Sequence, residues 1–359
     1  MTSLPNHCIE IDGRLIGAGH PTYVIAEISA NHNQNIDEAI DLIQIAANSG
    51  ADAVKIQTYT PDTMTIQCEN DYFKIGKDTL WEGRSLYELY GDAYTPWEWL
   101  PELQKAARNA KITLFSTPFD STSVNFLEQH NVPAHKIASF ELTDHPLLAT
   151  VAQTGKPVIL STGLASLEEI TDAVEVLRTN GCEQLALLKC TSAYPAPPEE
   201  ANLARIPHMQ ETFSVPVGLS DHTMGTTVSA LAVSLGACII EKHFTKSRAV
   251  PGPDSAFSLE PDELKAMIEA VRIAEKAIGH VTYDLTEMER NSRTFRRSIF
   301  AVKDIQPGEE INESNVRIIR PSYGLAPKYM NQVLGLRSKG SIRRGTPLSW
   351  DLINHTSIE

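Results

Sequence analysis

The sequence has little of what marks a secreted, membrane or nucleic-acid-binding chain. Its five cysteines, Cys8, Cys68, Cys182, Cys190 and Cys238, are odd in number and form no CxxC pair, which excludes a disulfide scaffold. No apolar signal region lies near Met1, so these read as reduced thiols of a cytoplasmic protein. The longest apolar stretch, Val228 to Ile240, contains Ser229 and Ser234 and is too short to span a bilayer. Basic side chains are in deficit, 31 against 45 acidic ones, for a formal net charge of -14. The resulting field repels phosphate and excludes nucleic acid or an anionic membrane as the main partner. A small anion can bind only in a pocket that gathers its own lysines and arginines.

What is present is room for a large core: 359 residues, 42% hydrophobic and 21% charged, enough for one domain of about 250 residues and a smaller one. Strand-like runs recur at Tyr23–Ala30, Ala53–Gln57, Thr113–Ser116, Ala134–Ile137, Pro157–Ser161, Leu185–Lys189, Pro216–Leu219 and Cys238–Glu241. Amphipathic patterns follow them at Ile36–Ser49, Thr95–Asn109, Ser121–Gln129, Pro146–Gln153, Ser166–Arg178, Leu203–Thr212, Thr226–Leu235 and Pro261–Ile278. Ser166 with Glu169 makes a capping box, and Gly50 and Gly279 are stop signals. A polar and aromatic excursion, Thr58–Tyr94, interrupts the rhythm.

Eight short apolar strands alternating with eight helices predict an α/β fold, a closed (β/α)8 TIM barrel. An open doubly wound sheet fits less well, because no glycine-rich dinucleotide fingerprint follows the first strand. The expected domains are residues 1–280 for the barrel, 281–297 for a linker, and 298–359 for a small domain with Pro/Gly turns. That last piece is relatively basic, carrying Arg317, Arg320, Lys328, Arg337, Lys339, Arg343 and Arg344. A basic domain beside an acidic barrel suits completion of a pocket for an anion.

In such barrels the reacting groups stand at the C-terminal ends of the strands. Those ends read Glu27; Lys55 and Gln57; Ser116 and Thr117; Lys136, Ser139 and Glu141; Ser161 and Thr162; Lys189 and Ser192; Ser220, Asp221 and His222; Glu241, Lys242 and His243. Lys55, Lys136 and Lys189, with hydroxyls beside them, are expected to converge on a phosphate or carboxylate. His222 and His243 end adjacent strands and suit one divalent metal, Mn²⁺ first, with Mg²⁺, Co²⁺ or Zn²⁺ as alternatives. Glu27, Glu141 and Asp254 are carboxylates able to hold sugar hydroxyls, move protons, or pair with the nearby lysines.

These residues sit in motifs that resemble the sialic acid synthase family: AEISANHNQ (Ala26–Gln34), ADAVKIQTY (Ala51–Tyr59), FSTPFD (Phe115–Asp120), KIASFE (Lys136–Glu141), LLKCTSAYPAP (Leu187–Pro197), VGLSDHT (Val217–Thr223), EKHFT (Glu241–Thr245) and PGPDSAFS (Pro251–Ser258). The C-terminal piece, with VKDIQPGE and IIRPSYG, resembles that family's antifreeze-like (SAF) domain. The resemblance implies condensation of phosphoenolpyruvate (PEP) with an N-acyl amino sugar and release of phosphate. It implies Lys55, Thr117, Lys136, Ser139, Ser192 and Ser220 around PEP, and His222 and His243 on the metal. Gln57, Tyr194, Asp254 and Phe140 would face the sugar, with Glu141 and Glu27 in catalytic places. Arg320 would come from the small domain of the partner in a domain-swapped homodimer.

Branch-specific motifs, among them Gln57-Thr58-Tyr59-Thr60-Pro61-Asp62 and Thr346-Pro347-Leu348-Ser349-Trp350-Asp351, imply 2,4-diacetamido-2,4,6-trideoxy-L-altrose as the sugar. N-acetylneuraminate synthases usually carry glycine and asparagine where this chain has Phe140 and Ser192. The competing expectations are N-acetylneuraminate or legionaminic acid synthesis, a metal-dependent sugar isomerase or aldolase on the same barrel, and a carbohydrate- or ice-binding-like module.

Overall fold

A computed structural model describes residues 8–76 and 81–354. Eight parallel strands, β3 (Tyr23–Glu27), β4 (Ala53–Thr58), β5 (Thr113–Pro118), β6 (His135–Ile137), β7 (Val158–Ser161), β8 (Leu185–Cys190), β9 (Val217–Asp221) and β10 (Ile239–His243), close into a barrel in sequence order. Both faces of nearly every strand are buried, which is why they read as continuous apolar runs rather than alternating ones. Helices α1 (Ile36–Ser49), α4 (Leu100–Ala110), α5 (Ser121–Gln129), α6 (His145–Ala152), α7 (Leu167–Thr179), α8 (Arg205–Phe213), α9 (Thr227–Ser234) and α10 (Pro261–Ile278) cover the barrel. Their apolar stripes and the outward-facing strand residues form one continuous core.

Local chemistry sets the helix limits. Asn35 caps α1 by accepting from the Asp37 and Glu38 N–H groups, and Gly50 ends it at φ +92°. The Ser166–Glu169 capping box forms reciprocally on α7. One start differs from expectation: Thr95 is not the cap of α4, which begins at Leu100 after a tight turn at Trp97–Trp99. The Thr95 hydroxyl instead bonds His32 Nε2 at 3.1 Å. The excursion before it folds into α2 (Pro61–Met64) and α3 (Leu86–Ala93), the latter held by a Ser85–Glu88 capping box.

A hairpin of β1 (Cys8–Ile11) and β2 (Arg14–Gly17) closes the N-terminal end of the barrel. Ile9, Ile11 and Ile16 pack against Tyr23, Ile25, Phe115 and Ile239. The barrel interior is thus filled at that end, leaving the opposite end for a site.

The chain divides into two compact units after Gly279. The second carries α11 (Glu287–Ser292), the antiparallel pair β11 (Ser298–Ala301) and β12 (Val316–Ile319), then α12 (Met330–Val333) and the short pair β13 (Arg337–Ser338) and β14 (Ile353–Asn354). It has its own core, built from Ile299, Ile305, Ile311, Val316, Val333, Ile342, Leu348 and Ile353. Within the stretch expected as a linker, a Thr286–Glu289 capping box starts α11.

Candidate active site

The C-terminal ends of the barrel strands surround a cavity of about 380 Å³. Lys55, Gln57, Thr117, Lys136, Ser139, Phe140, Glu141, Tyr194, Ser220, His222, His243 and Asp254 all line it. Twelve side chains singled out from the sequence therefore meet in one place.

One side of the cavity is cationic. Lys55 Nζ donates to Thr117 Oγ1 at 3.0 Å and pairs closely with Glu27. Lys136 Nζ donates to Ser161 Oγ at 2.6 Å and to the Ile137 carbonyl at 3.1 Å. Glu241 Oε1 lies between the two ammonium groups, 3.8 Å from Lys55 and 3.7 Å from Lys136, and accepts from Ser220 Oγ at 3.4 Å. Burial works against the Lys55 charge, yet Glu241 and Glu27 outweigh it and lift its pKa. For Lys136 burial wins: it is pulled below its ordinary value despite Glu241, with the Lys55 charge adding to the fall.

The facing side holds the imidazoles. His222 and His243 have ring centroids 5.3 Å apart, and Tyr194 lies against His222 at 4.3 Å. His222 Nδ1 donates to the Thr191 carbonyl at 2.9 Å, which leaves the Nε2 lone pair free. His243 Nδ1 is buried without a hydrogen-bond partner. Burial, reinforced by His222 and the lysines, holds His243 well below the ordinary histidine pKa. Burial works against a charge on His222, but Cys190 and Glu241 nearby outweigh it and raise its pKa. With its proton released, two imidazole nitrogens face one space, and this set fits a divalent cation. Among the described residues no group of three or more His, Cys, Asp or Glu side chains makes a metal cage, so such an ion keeps positions open for water and substrate.

Two carboxyls also line the cavity. Asp254 accepts from Ser29 Oγ, and burial raises its pKa. Burial pushes the Glu141 carboxyl up to about 7, against the opposing pull of Lys136, and its Oε2 has no partner. A carboxyl poised near neutrality suits proton transfer.

Three expected residues stand elsewhere on the barrel. Glu27 lies behind Lys55, off the cavity surface, and accepts from Gln57 Nε2 at 3.3 Å. The Ser192 hydroxyl is set against Cys190 Sγ at 3.8 Å. It also packs over Gly163, where a Cβ would come within 2.3 Å of it and 2.7 Å of Ser139 Oγ, so only glycine fits there. Lys189 does not join the other two lysines. It donates to Thr191 Oγ1 and the Glu200 carbonyl, because it alternates with Cys190, which takes the inward position. Arg320 follows β12 on the second unit and is exposed.

Sequence reasoning missed the wall. Tyr59, Met64, Ile75, Trp81, Leu86, Leu89, Tyr90 and Ala93, all from the excursion and its entry, line the cavity with Phe119. Trp81 Nε1 donates to the Pro253 carbonyl at 2.9 Å, tying this wall to the loop that carries Asp254. The available signal was the aromatic density of the excursion. Cys190 was missed as well. Burial alone would raise its thiol, but His222 beside it and a hydrogen bond from Ser139 bring it down to about 6.

Known proteins match this chain over most of its length. The NeuB family model matches residues 42–283 and the SAF domain model residues 296–354. The pseudaminic acid synthase of Campylobacter jejuni is 44% identical, with 91% of this chain and 95% of that protein covered. The pseudaminic acid synthase of Helicobacter pylori is 43% identical, over 94% and 99% respectively. Among solved structures, the N-acetylneuraminic acid synthetase of Leptospira borgpetersenii superimposes with a TM-score of 0.71 at 31% identity, over 80% of this chain and 95% of that one. On this combination of barrel, cavity and C-terminal unit, the chain belongs to the NeuB family, a synthase barrel followed by a SAF domain.

Proposed function

We propose that this chain is an enzyme that joins PEP to 2,4-diacetamido-2,4,6-trideoxy-L-altrose, giving pseudaminic acid and phosphate. One observation carries the reading: a single cavity is lined by two buried ammonium groups, two imidazoles and a set of apolar and aromatic side chains. The similarity to two pseudaminic acid synthases supports the choice of sugar.

Lys55 and Lys136 hold the carboxylate and phosphate of PEP, helped by the Thr117, Ser139 and Ser220 hydroxyls, with Ser192 behind Ser139. Glu27 and Glu241 keep the lysines extended toward that anion. His222 and His243 would hold a divalent cation, Mn²⁺ by our reading, which when bound supplies Lewis-acid polarisation of the sugar aldehyde. Gln57, Tyr194 and Asp254 orient the open-chain sugar, and Phe140, 61% exposed at the mouth, meets its 6-methyl end.

Carbon 3 of PEP attacks the aldehyde carbon and forms the new C–C bond as the carbonyl π pair moves to the aldehyde oxygen, leaving cationic character at C2. That oxygen becomes a hydroxyl with the proton that passes through Glu141. The Glu141 carboxylate takes a proton from the water that adds to C2. The tetrahedral intermediate then expels phosphate by breaking the C2–O bond, and the carbonyl forms. Low dielectric around the lysines strengthens their hold on charge that shifts during these steps.

The second unit acts, in this proposal, as a cap in a symmetric homodimer, bringing the partner subunit's Arg320 to the sugar. Its basic composition and the exposed Val281, Tyr283, Met288, Phe295 and Tyr323 support an outward-facing contact role. Five free cysteines agree with a cytoplasmic setting.

Specificity tests the sugar. With PEP saturating, kcat/KM for the 6-deoxy diacetamido altrose is expected to exceed that for N-acetylmannosamine by at least tenfold, since an apolar pocket gains about 1–3 kcal/mol per fitted methyl group. A higher kcat/KM for N-acetylmannosamine would overturn the assignment.

A further inference from the structure

His222 and His243 stand one residue beyond the last rung that joins their strands. β9 and β10 pair in the register Ile240↔Leu219, Glu241↔Ser220 and Lys242↔Asp221, where the ladder between them ends. His222 lies past the end of β9 altogether. Backbone hydrogen bonding between these two strands therefore does not fix the spacing of the imidazoles.

His243 is instead paired with Glu27 of β3, and the His222 carbonyl accepts from the Ala196 N–H; side chains on the other face of that last rung add a direct tie between β9 and β10. Asp221 and Lys242 are each 1% exposed and point away from the cavity, because successive side chains of a strand alternate. Lys242 Nζ donates to Asp221 Oδ2 at 2.8 Å and also to the Thr223 carbonyl. Asp221 further accepts from the Thr223 N–H at 2.9 Å, from Thr223 Oγ1 at 2.7 Å and from Ser229 Oγ on α9 at 2.7 Å. Thr223 is thus held from both its carbonyl and its donors, and His222 is fixed between two tethered neighbours.

We propose that the buried Asp221–Lys242 pair, with Thr223, is a positioning clamp that sets the separation and aim of His222 and His243 before a cation binds. The clamp rests on the reading that these two imidazoles hold a divalent metal. A buried ion pair adds little net stability compared with an apolar pair of the same size. Its distinguishing property is direction: four donors around one carboxylate admit one arrangement of two strand ends. Supporting groups of this kind around metal-binding histidines govern affinity by 10–100-fold.

The probe is Mn²⁺ alone, without either substrate, titrated against the full chain while free Mn²⁺ is read by electron paramagnetic resonance. Lys242→Met is expected to raise the Mn²⁺ Kd about 10–100-fold. Thr223→Val, which removes a single hydroxyl from Asp221, is expected to weaken binding severalfold, and Thr223→Ser to restore it. As a control for general destabilisation, Arg14→Met breaks the Arg14–Asp52 pair at the opposite end of the barrel. It should lower Tm and leave Mn²⁺ affinity unchanged. The clamp is overturned if folded Lys242→Met binds within twofold of the parent, or if Arg14→Met loses as much affinity as Lys242→Met. Should Lys242→Met fail to fold, an unchanged Kd in Thr223→Val overturns it instead. Equal Mn²⁺ binding by the parent and a His222→Ala, His243→Ala variant removes the metal reading itself, and the clamp with it.

Discussion

Glu141 is where burial turns most directly into reactivity. Its carboxyl is raised to about 7 chiefly by desolvation, with Asp144 adding to and Lys136 opposing the shift. A base must be ionised, so kcat/KM should fall as pH drops below about 7, tenfold per unit, and Glu141→Gln should lose that limb along with about 10²–10⁴-fold of the rate. A rate profile flat from pH 5.5 to 8 would exclude Glu141 as the base. Stability runs the other way. A folded pKa above the unfolded one contributes stability that is present below about 4.5 and is lost as pH rises through about 7. Glu141→Gln should therefore stabilise the fold at pH 8 by about 1–3 kcal/mol and change little at pH 4.5, measured by urea denaturation. At this scale the sequence exposes residue types at strand ends well, because the barrel geometry sends them to one place. It does not expose direction: Lys55 and Lys189 look equivalent in the chain. Strand alternation puts one in the cavity and ties the other to Thr191 and Glu200.

Among the elements, the barrel strands and helices were legible because period and capping agreed, as at Ser166–Glu169 and Asn35 with Gly50. The β1–β2 hairpin was not read from the sequence, although Asp12-Gly13 between apolar alternations signals a two-residue turn. Both residues adopt positive φ, +52° and +78°, as a type I′ turn requires. The hairpin's duty is to fill the closed end of the barrel. Ile11→Ala, at a position fully buried against the inner strand residues, should cost about 2–4 kcal/mol of unfolding free energy with kcat and KM unchanged at 25 °C. Loss of activity in the still-folded variant would mean that this end communicates with the site. The excursion between β4 and α4 was unreadable for a different reason. Its short elements, α2 and α3, have little core of their own, and their apolar side chains gain a role only where they meet the strand ends.

At the scale of the whole molecule, an acidic chain carries a basic C-terminal unit, and the proposed homodimer gives that asymmetry a use. Mixing is a direct check. Arg320→Ala and His222→Ala chains, each inactive alone, are combined after dissociation and reassembly. Capping across the dimer regenerates one working site per mixed dimer, with intact barrel residues from one subunit and Arg320 from the other. Inactive mixed dimers, shown to have formed, would place Arg320 over its own barrel or outside catalysis. The two-unit organisation was foreshadowed by the change in charge and by the turn-rich composition after residue 298. The capped helix α11, inside what looked like a plain linker, was hidden in a polar run whose Thr286–Glu289 spacing is its one local signature.

The central claim is that one cavity uses two lysines to hold PEP while C–C bond formation leads to phosphate loss by C–O cleavage. The most direct measurement supplies PEP labelled with ¹⁸O at the bridging oxygen, together with 2,4-diacetamido-2,4,6-trideoxy-L-altrose and Mn²⁺, and follows both products by mass spectrometry. The expected result is label entirely in inorganic phosphate, formed in equal amount with unlabelled pseudaminic acid, and abolished by Lys55→Met or Lys136→Met. Label retained in the organic product, or phosphate released without a new carbon–carbon bond, would contradict it.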